Sequence, residues 1–365
     1  MDDLSRFCCQ NPKCPTYGLR DHGNLRVAFR YGPQQQRRML ACRTCQQRFS
    51  ERKGTPLFGA RLPEDQILGI LQHLQERCGV RQTSRLVGVD KDTVVRYALR
   101  AGDHAHQLHD ELVGFSPPTR KVEFDEKWSF VGKKEKHCDR SNPDDDFQGD
   151  HWDHVAFDPE HRLVVSLVCG QRTEEHTLGL VQDFHDRTGG RFMDLMCRDE
   201  NPAYATAILE VYGEEMTPPR TGKPGRPQGT YRRLPEALNY ATVHKEREKG
   251  RVVSVAARVR YGSAALEEVS TSHLERFNGT DRNRNGRKVR KAYTFSKDWE
   301  VHQAVSAFVV FSYNFGWPVR TLRVQGDEGQ WEARTPAMAA GLTDHIWSLM
   351  EWITLPGVNK IKRPG

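Results

Sequence analysis

The sequence predicts a multidomain chain: a cysteine-rich ribbon, a small helical module, then an α/β domain interrupted by a basic insertion. Three observations predict it. Five of the nine cysteines (Cys8, Cys9, Cys14, Cys42 and Cys45) fall within the first 45 residues. Apolar residues at helical spacing fill residues 61–102. From residue 119 onward, short apolar runs alternate with helical stretches, as in a sheet covered by helices. At 365 residues the chain exceeds one ordinary compact domain, so two or three units are expected.

Composition narrows the function classes. The hydrophobic fraction is 37% and the mean hydropathy −0.73, which implies a modest core and a heavily charged surface. A net charge of +7 and a pI near 8.9 favour a polyanionic partner. No apolar run approaches the length of a membrane span, and the first residues, Met1-Asp2-Asp3, are acidic rather than basic. The expectation is a cytoplasmic, nucleoid-associated protein with no membrane partner.

Residues 1–60 read as a zinc ribbon. Cys9 and Cys14 form one knuckle and Cys42 and Cys45 a second, with strand-like runs at 24–31 and 36–41 between them. Four thiolates around Zn²⁺ replace the apolar core that so short a segment lacks. Cys8 competes with Cys9 as first ligand. Clustering of this kind in a reducing compartment favours metal over disulfides. The zinc here would be structural.

Residues 61–102 read as a helix-turn-helix. Pro63 and Glu64 open a first helix with Ile67, Leu68, Ile70, Leu71 and Leu74 as its apolar stripe. A second helix spans 81–87, with Leu86 and Val87 inward. Gly88-Val89 makes the turn, and Asp90 caps a third helix over 93–99. Lys91, Thr93 and Arg96 would face the DNA major groove, with Val94 and Ala98 in the core. A purely structural helical bundle shares this pattern; the neighbouring ribbon and the basic charge favour DNA. Residues 103–118 read as a helix end and linker, with His104, His106 and His109 on a solvated surface.

Residues 119–316 read as the catalytic domain. Strands are expected at 121–130, 153–158 and 163–168, then a helix over 174–188 and a strand at 192–197 running on to Asp199. An antiparallel hairpin followed by a helix and a parallel strand is the order of a ribonuclease-H-like fold. The acidic loop holding Asp139, Asp144, Asp145, Asp146 and Asp150 lacks the glycine and terminal glutamate of a calcium loop and reads as a solvated insertion. Residues of about 212–262 are turn-rich and basic, with Lys245, Arg247, Lys249 and Arg251 among the cations, and read as an insertion that tracks DNA phosphates. The helical stretch 299–315 would back the sheet. Residues 317–365 read as a C-terminal extension.

Three carboxylates carry the chemistry. Asp125 and Asp199 sit on or at the end of apolar strands, and Glu275 lies in a helical segment, Leu274-Glu275-Arg276-Phe277-Asn278. Two strand carboxylates and one helix carboxylate make an oxygen-only site for Mg²⁺ or Mn²⁺, and a pair of such ions stabilises the attacking and leaving oxygens of phosphoryl transfer. Arg276, Asn278 and Arg282 on the same helix would hold phosphates, with Arg287, Lys288, Arg290 and Lys291 beyond. A basic surface helix is the competing reading for this stretch alone.

The segments Asp125-Glu126-Lys127-Trp128-Ser129-Phe130, Arg198-Asp199-Glu200-Asn201-Pro202-Ala203-Tyr204 and Glu275-Arg276-Phe277-Asn278 resemble bacterial insertion-sequence DDE transposases. The best likeness is to the insertion-sequence-one type, whose two reading frames are called InsA and InsB. Residues up to about 102 resemble InsA and those from about 120 resemble InsB, here in one polypeptide. The resemblance implies Asp125, Asp199 and Glu275 as the triad, with Glu267 and Glu268 as alternatives to Glu275 because the basic segment stretches that interval. It also implies binding of double-stranded DNA (inverted-repeat ends and target) by a homo-oligomer. The activity implied is metal-dependent cleavage and strand transfer; the alternatives are a DNA-binding regulator that cuts nothing, or a nuclease of the same fold.

Overall fold

The computed structural model describes residues 2–114, 117–199, 201–218, 229–249, 251–289, 292–326 and 329–358. The N-terminal ribbon is a three-stranded antiparallel sheet of β1 (Leu25–Tyr31), β2 (Arg37–Cys42) and β3 (Arg48–Ser50). Its small core holds Phe7, Leu25, Leu40 and Phe49 beside the cysteines. The third strand was not anticipated, because three residues carry no periodicity of their own.

Three helices follow: α1 (Glu64–Gln75), α2 (Val80–Val87) and α3 (Lys91–Leu112). The apolar stripe of α1 buries Ile67, Ile70, Leu71 and Leu74. Gly88 closes α2 in the left-handed region at φ 74°, and the Asp90 carboxylate accepts the Asp92 N–H at 2.8 Å to cap α3. Val94 and Ala98 are buried, but Leu86, expected inside, is 62% exposed. Eight residues make only two turns, so α2 buries one narrow edge, and that edge is centred on Thr83.

The expected linker is not one. α3 runs unbroken to Leu112, and Ala101, Ala105 and Leu108 pack in the same core as the α/β region. Gly102 lies where this helix crosses a long helix at Trp299–Gly316; a Cβ there would stand 2.4 Å from Ala304. His104 and His109 are buried, not solvated. His104 stacks on Trp352 (5.9 Å between rings) with Nε2 2.9 Å from the Trp352 carbonyl, while His109 Nε2 lies 3.2 Å from the Val164 carbonyl. Burial holds the His104 pKa down to about 4 and the His109 pKa to about 3. Both partners are distant in sequence, so spacing within the helix could not reveal them.

The α/β region begins with β4 (Lys121–Val131), β5 (Gly149–Asp158) and β6 (Leu163–Gly170), an antiparallel meander. α4 (Glu174–Arg187) crosses to β7 (Leu195–Asp199), which pairs parallel with β4. α5 (Ala203–Tyr212), missed in the sequence, follows, and β8 (Glu214–Met216) pairs with β9 (Tyr231–Arg233) as a small exposed ribbon. β10 (Tyr240–Glu248) then pairs parallel with β7, and β11 (Arg251–Tyr261) antiparallel with β10. The sheet order is β11-β10-β7-β4-β5-β6.

Two expectations fail here. The segment of about 212–262 is not wholly an insertion: its second half supplies two strands of the main sheet. High charge hid them, because Lys245, Glu246 and Glu248 stand where a buried strand would carry apolar residues. The basic turn-rich stretch Pro219–Gln228 lies outside the described residues. The acidic loop is also not wholly solvated, since Asp145 is buried and pairs with Lys133 at 2.7 Å.

α6 (Ser272–Arg284) crosses one face of the sheet, and α7 (Trp299–Gly316) packs beneath α3 and the meander. The described residues after 316 fold back rather than extend away. They form a two-stranded ribbon, β12 (Val324–Gln325) and β13 (Trp331–Glu332), then α8 (Pro336–Ala339) and α9 (Leu349–Ile353). α9 buries Trp352 against Phe308 and Phe311, and Arg20 of the ribbon reaches Glu111 (2.8 Å) and the Pro356 carbonyl (2.6 Å). Among the described residues, no helix is long and apolar enough to cross a membrane.

Candidate functional site

Strand alternation builds the site. On β4, Val122 and Phe124 face one side, where Phe124 meets Phe184 and Tyr204 with ring centres 5.5 Å apart. Glu123, Asp125 and Lys127 face the other side, toward α6. Glu123 Oε2 accepts the Leu274 N–H at 2.7 Å, Asn278 Nδ2 donates to Asp125 Oδ2 at 2.8 Å, and Lys127 pairs with Asp281. Positions 274, 278 and 281 share one helix face, so three strand residues at period two meet three helix residues at period 3.6. The strand charges that look unburiable in sequence are each answered by the helix.

Asp199 ends β7, whose parallel register places it beside Asp125, since Phe124 pairs with Arg198. Burial and the neighbouring Asp199 charge raise the Asp125 pKa to about 7, and burial raises that of Asp199 as well. Asp199 Oδ1 and Asn278 Oδ1 are enclosed without a protein hydrogen-bond partner. Two crowded carboxylates and two orphaned oxygens form a donor set that fits a hard divalent cation, which would relieve the repulsion and supply the missing partners. Glu126, on the opposite side of β4, accepts from Asn201 and lies 3.4 Å from Arg172, so it ties the turn after Asp199 to the strand bearing Asp125.

Glu275 stands half exposed on α6 and pairs with Lys245 of β10. Among the described residues, the carboxylate oxygens of Asp125, Asp199 and Glu275 do not all come within 4.8 Å of one another. The Lys245 ammonium acts electrostatically on both aspartates. Sequence reasoning placed Lys245 among phosphate-neutralising surface charges, and the strand pairing that brings it to the carboxylates had no local signal. Glu267 and Glu268 are exposed, and Glu268 pairs with Lys121 (2.8 Å) at the start of β4, away from Asp125.

The other expected contact residues divide. Lys91 and Arg96 are exposed on the first turns of α3, Lys91 beside Asp92 at 2.8 Å, with Arg96 Nη2 3.4 Å from Thr93 Oγ1. Arg276 is exposed and Arg282 half-buried, whereas Asn278 is buried against Asp125 and has no free face for a phosphate. Lys288 is a correction: it is fully buried, 2.7 Å from Asp153 and 3.2 Å from Asp281. Arg290 and Lys291 lie outside the described residues. A groove of about 230 Å³ beside α6 is lined by Arg162, Arg276, Arg284 and Arg320, a concentration of positive charge on that helix.

In the ribbon, the Cys9, Cys14, Cys42 and Cys45 sulfurs all lie within 4.8 Å of one another. Cys9–Cys45 is 3.7 Å and Cys14–Cys42 is 3.9 Å. A tetrahedral zinc site with ~2.3 Å bonds has sulfur–sulfur edges of about 3.8 Å, so the spacing fits zinc. Burial pushes the Cys42 thiol up, but N–H groups of Cys45 and Thr44 outweigh it and bring the pKa to about 6. Cys8 lies outside the cluster and accepts from Gln10.

No family model matches the sequence, and no curated protein matches it. Among solved structures, a Mos1 transposase paired-end complex with left transposon end is similar at 16% identity, over 42% of this chain and 58% of that one, with a TM-score of 0.17. The Mos1 Strand Transfer Complex is similar at 16% identity over 41% and 56%, again with a TM-score of 0.17. A Mos1 mariner paired end complex with Mn matches at 15% identity over 42% and 57%, at the same score. The match spans less than two thirds of those chains, and a likeness at that score carries no argument.

Proposed function

We propose that the protein is a DNA transposase of the DDE type, resembling the insertion-sequence-one kind. Its zinc ribbon and helix-turn-helix would bind the inverted-repeat ends of a mobile element, and its sheet would cut and join DNA. The observation that carries the reading is the Asp125–Asp199 pair, set side by side on neighbouring strands, with Asp199 Oδ1 unpartnered and Asn278 of α6 clamping Asp125. Asp125, Asp199 and Glu275 would hold Mg²⁺ or Mn²⁺, which when bound supplies Lewis-acid activation of the attacking and leaving oxygens. Asn278 and the Glu126 N–H orient Asp125, each donating to one of its two carboxylate oxygens at 2.8 Å. Arg276 and the groove beside it would hold the DNA backbone, while Lys91, Thr93 and Arg96 read the major groove. In the first step water breaks a phosphodiester bond at the element end and frees a 3′-hydroxyl. In the second that hydroxyl attacks a target phosphodiester, forming one P–O bond and breaking another. Pairing of two ends would require a homo-oligomer on the DNA.

The test is incubation of purified protein with DNA carrying the inverted repeats that flank its gene, with Mg²⁺ or Mn²⁺. Joined products that vanish in Asp125→Asn and Asp199→Asn support transposition. Nicks without joining indicate a nuclease, and binding without either indicates a regulator. Cleavage that survives Asp125→Asn removes the proposed centre.

A further inference from the structure

We infer that the Lys245 ammonium holds the place of a cation among Asp125, Asp199 and Glu275, and yields that place when a divalent ion binds. The inference rests on the metal-centre reading above. β10 last pairs with β7 at Val243, opposite Asp199, so Lys245, two residues on, shares the sheet face of both aspartates. Beyond Val243 the strand stays paired with β11, where Lys245 pairs with Val255, and the side chain reaches across the end of the sheet to α6.

There it forms an ion pair with Glu275 and donates to Thr271 Oγ1 at 3.0 Å. Thr271 is buried immediately before α6, so the ammonium is anchored at the helix entrance. One positive charge therefore serves three acids drawn from β4, β7 and α6. It compensates their charge without saturating their oxygens, since Asp199 Oδ1 remains without a partner. A compact divalent ion takes six or more oxygen ligands, whereas an ammonium offers three hydrogens. The lysine is thus a weaker occupant of the same electrostatic well, and it accounts for three acids gathered around one locus yet standing too far apart for direct ligation. Once displaced, the long side chain is free to meet a DNA phosphate at the same edge.

The test is Mn²⁺ binding to the zinc-loaded full-length protein, followed by electron paramagnetic resonance of the free ion, for wild type, Lys245→Gln, Lys245→Arg and Asp125→Asn. Removing a competing, partly exposed cation should tighten Mn²⁺ binding roughly five- to tenfold in Lys245→Gln. Lys245→Arg, which keeps the charge, should stay close to wild type. Without divalent ions Lys245→Gln should also melt below wild type, and saturating Mn²⁺ should close that gap. Unchanged or weaker binding in Lys245→Gln, with Asp125→Asn abolishing binding, overturns the lysine's role and leaves the metal centre standing. Binding untouched by Asp125→Asn overturns both. Should Lys245→Gln fail to fold, lysine-selective NMR of wild type decides instead. The signal absent in Lys245→Arg must shift in step with Mg²⁺ occupancy, and a signal that ignores saturating Mg²⁺ refutes the exchange.

Discussion

Lys127→Met should be among the most destabilising single changes in this chain. The Lys127 and Lys288 ammonium groups and the Asp153 and Asp281 carboxylates form a cluster whose side chains are each at most 1% exposed. Lys127 lies 3.3 Å from Asp153 and pairs with Asp281, while Lys288 lies 2.7 and 3.2 Å from the same two acids. His302 and Cys169 border it, and burial holds the imidazole pKa down and the thiol pKa up, so both are neutral. Two cations thus balance two anions. Methionine in place of Lys127 preserves the volume but leaves one net negative charge in a site closed to water. Breaking one partner of such a buried network costs about 3–5 kcal/mol, a large part of the roughly 5–15 kcal/mol that holds a domain together. Urea unfolding followed by circular dichroism measures it. The paired change Lys127→Met with Asp281→Leu should cost less than the sum of the single changes, because it removes one charge of each sign. A loss below about 1 kcal/mol for Lys127→Met, or strict additivity in the pair, would refute the charge-balance reasoning. The consequence reaches the site, because Asp281 and Asn278 lie on the same face of α6: weaker Mn²⁺ binding should accompany the loss of stability.

Three other outcomes follow from the geometry. Cys14→Ser should release one equivalent of zinc per chain by elemental analysis and unfold the ribbon, whereas Cys8→Ser, outside the cluster, should keep its metal. His104, ordinarily near 6.5, is held to about 4 in the fold. The unfolded chain therefore takes up a proton before the native one does, so stability is full above about pH 6.5 and falls as pH drops toward 4, by about 3 kcal/mol for this group. His104→Phe should flatten that part of a pH-stability profile, and an unchanged slope would count against it. Gly102→Ala should cost about 1–3 kcal/mol in thermal unfolding, because the new methyl meets the backbone and side chain of Ala304. A neutral result would mean that α3 and α7 can move apart freely.

Local pattern was enough for much of this molecule. The two cysteine knuckles, the period-two strand β4, the apolar run of β6, the amphipathic α1 and the capped start of α3 are all legible because neighbours in sequence decide them. Spacing favours Cys9 over Cys8, since four residues separate Cys9 from Cys14, within the zinc-knuckle range, and the folded ribbon gathers Cys9 with the other three thiols. α5 escaped notice because ten mostly apolar residues following a proline show no clear polar face. β10 and β11 escaped because their charges imitate a surface loop.

What the sequence by itself determined is the set of chemical parts: four thiols at metal spacing, acids on or at the end of strands, and an excess of positive charge. What only the tertiary structure decided is which charges answer which. Glu123, Asp125 and Lys127 are tolerable on a buried strand face only because α6, about 150 residues later in the chain, lays Leu274, Asn278 and Asp281 against them. Lys245 reaches the carboxylates only because β10 pairs with β7. Burial makes an unpaired charge costly, and the partner that cancels the cost is chosen by topology, which no local stretch of residues contains.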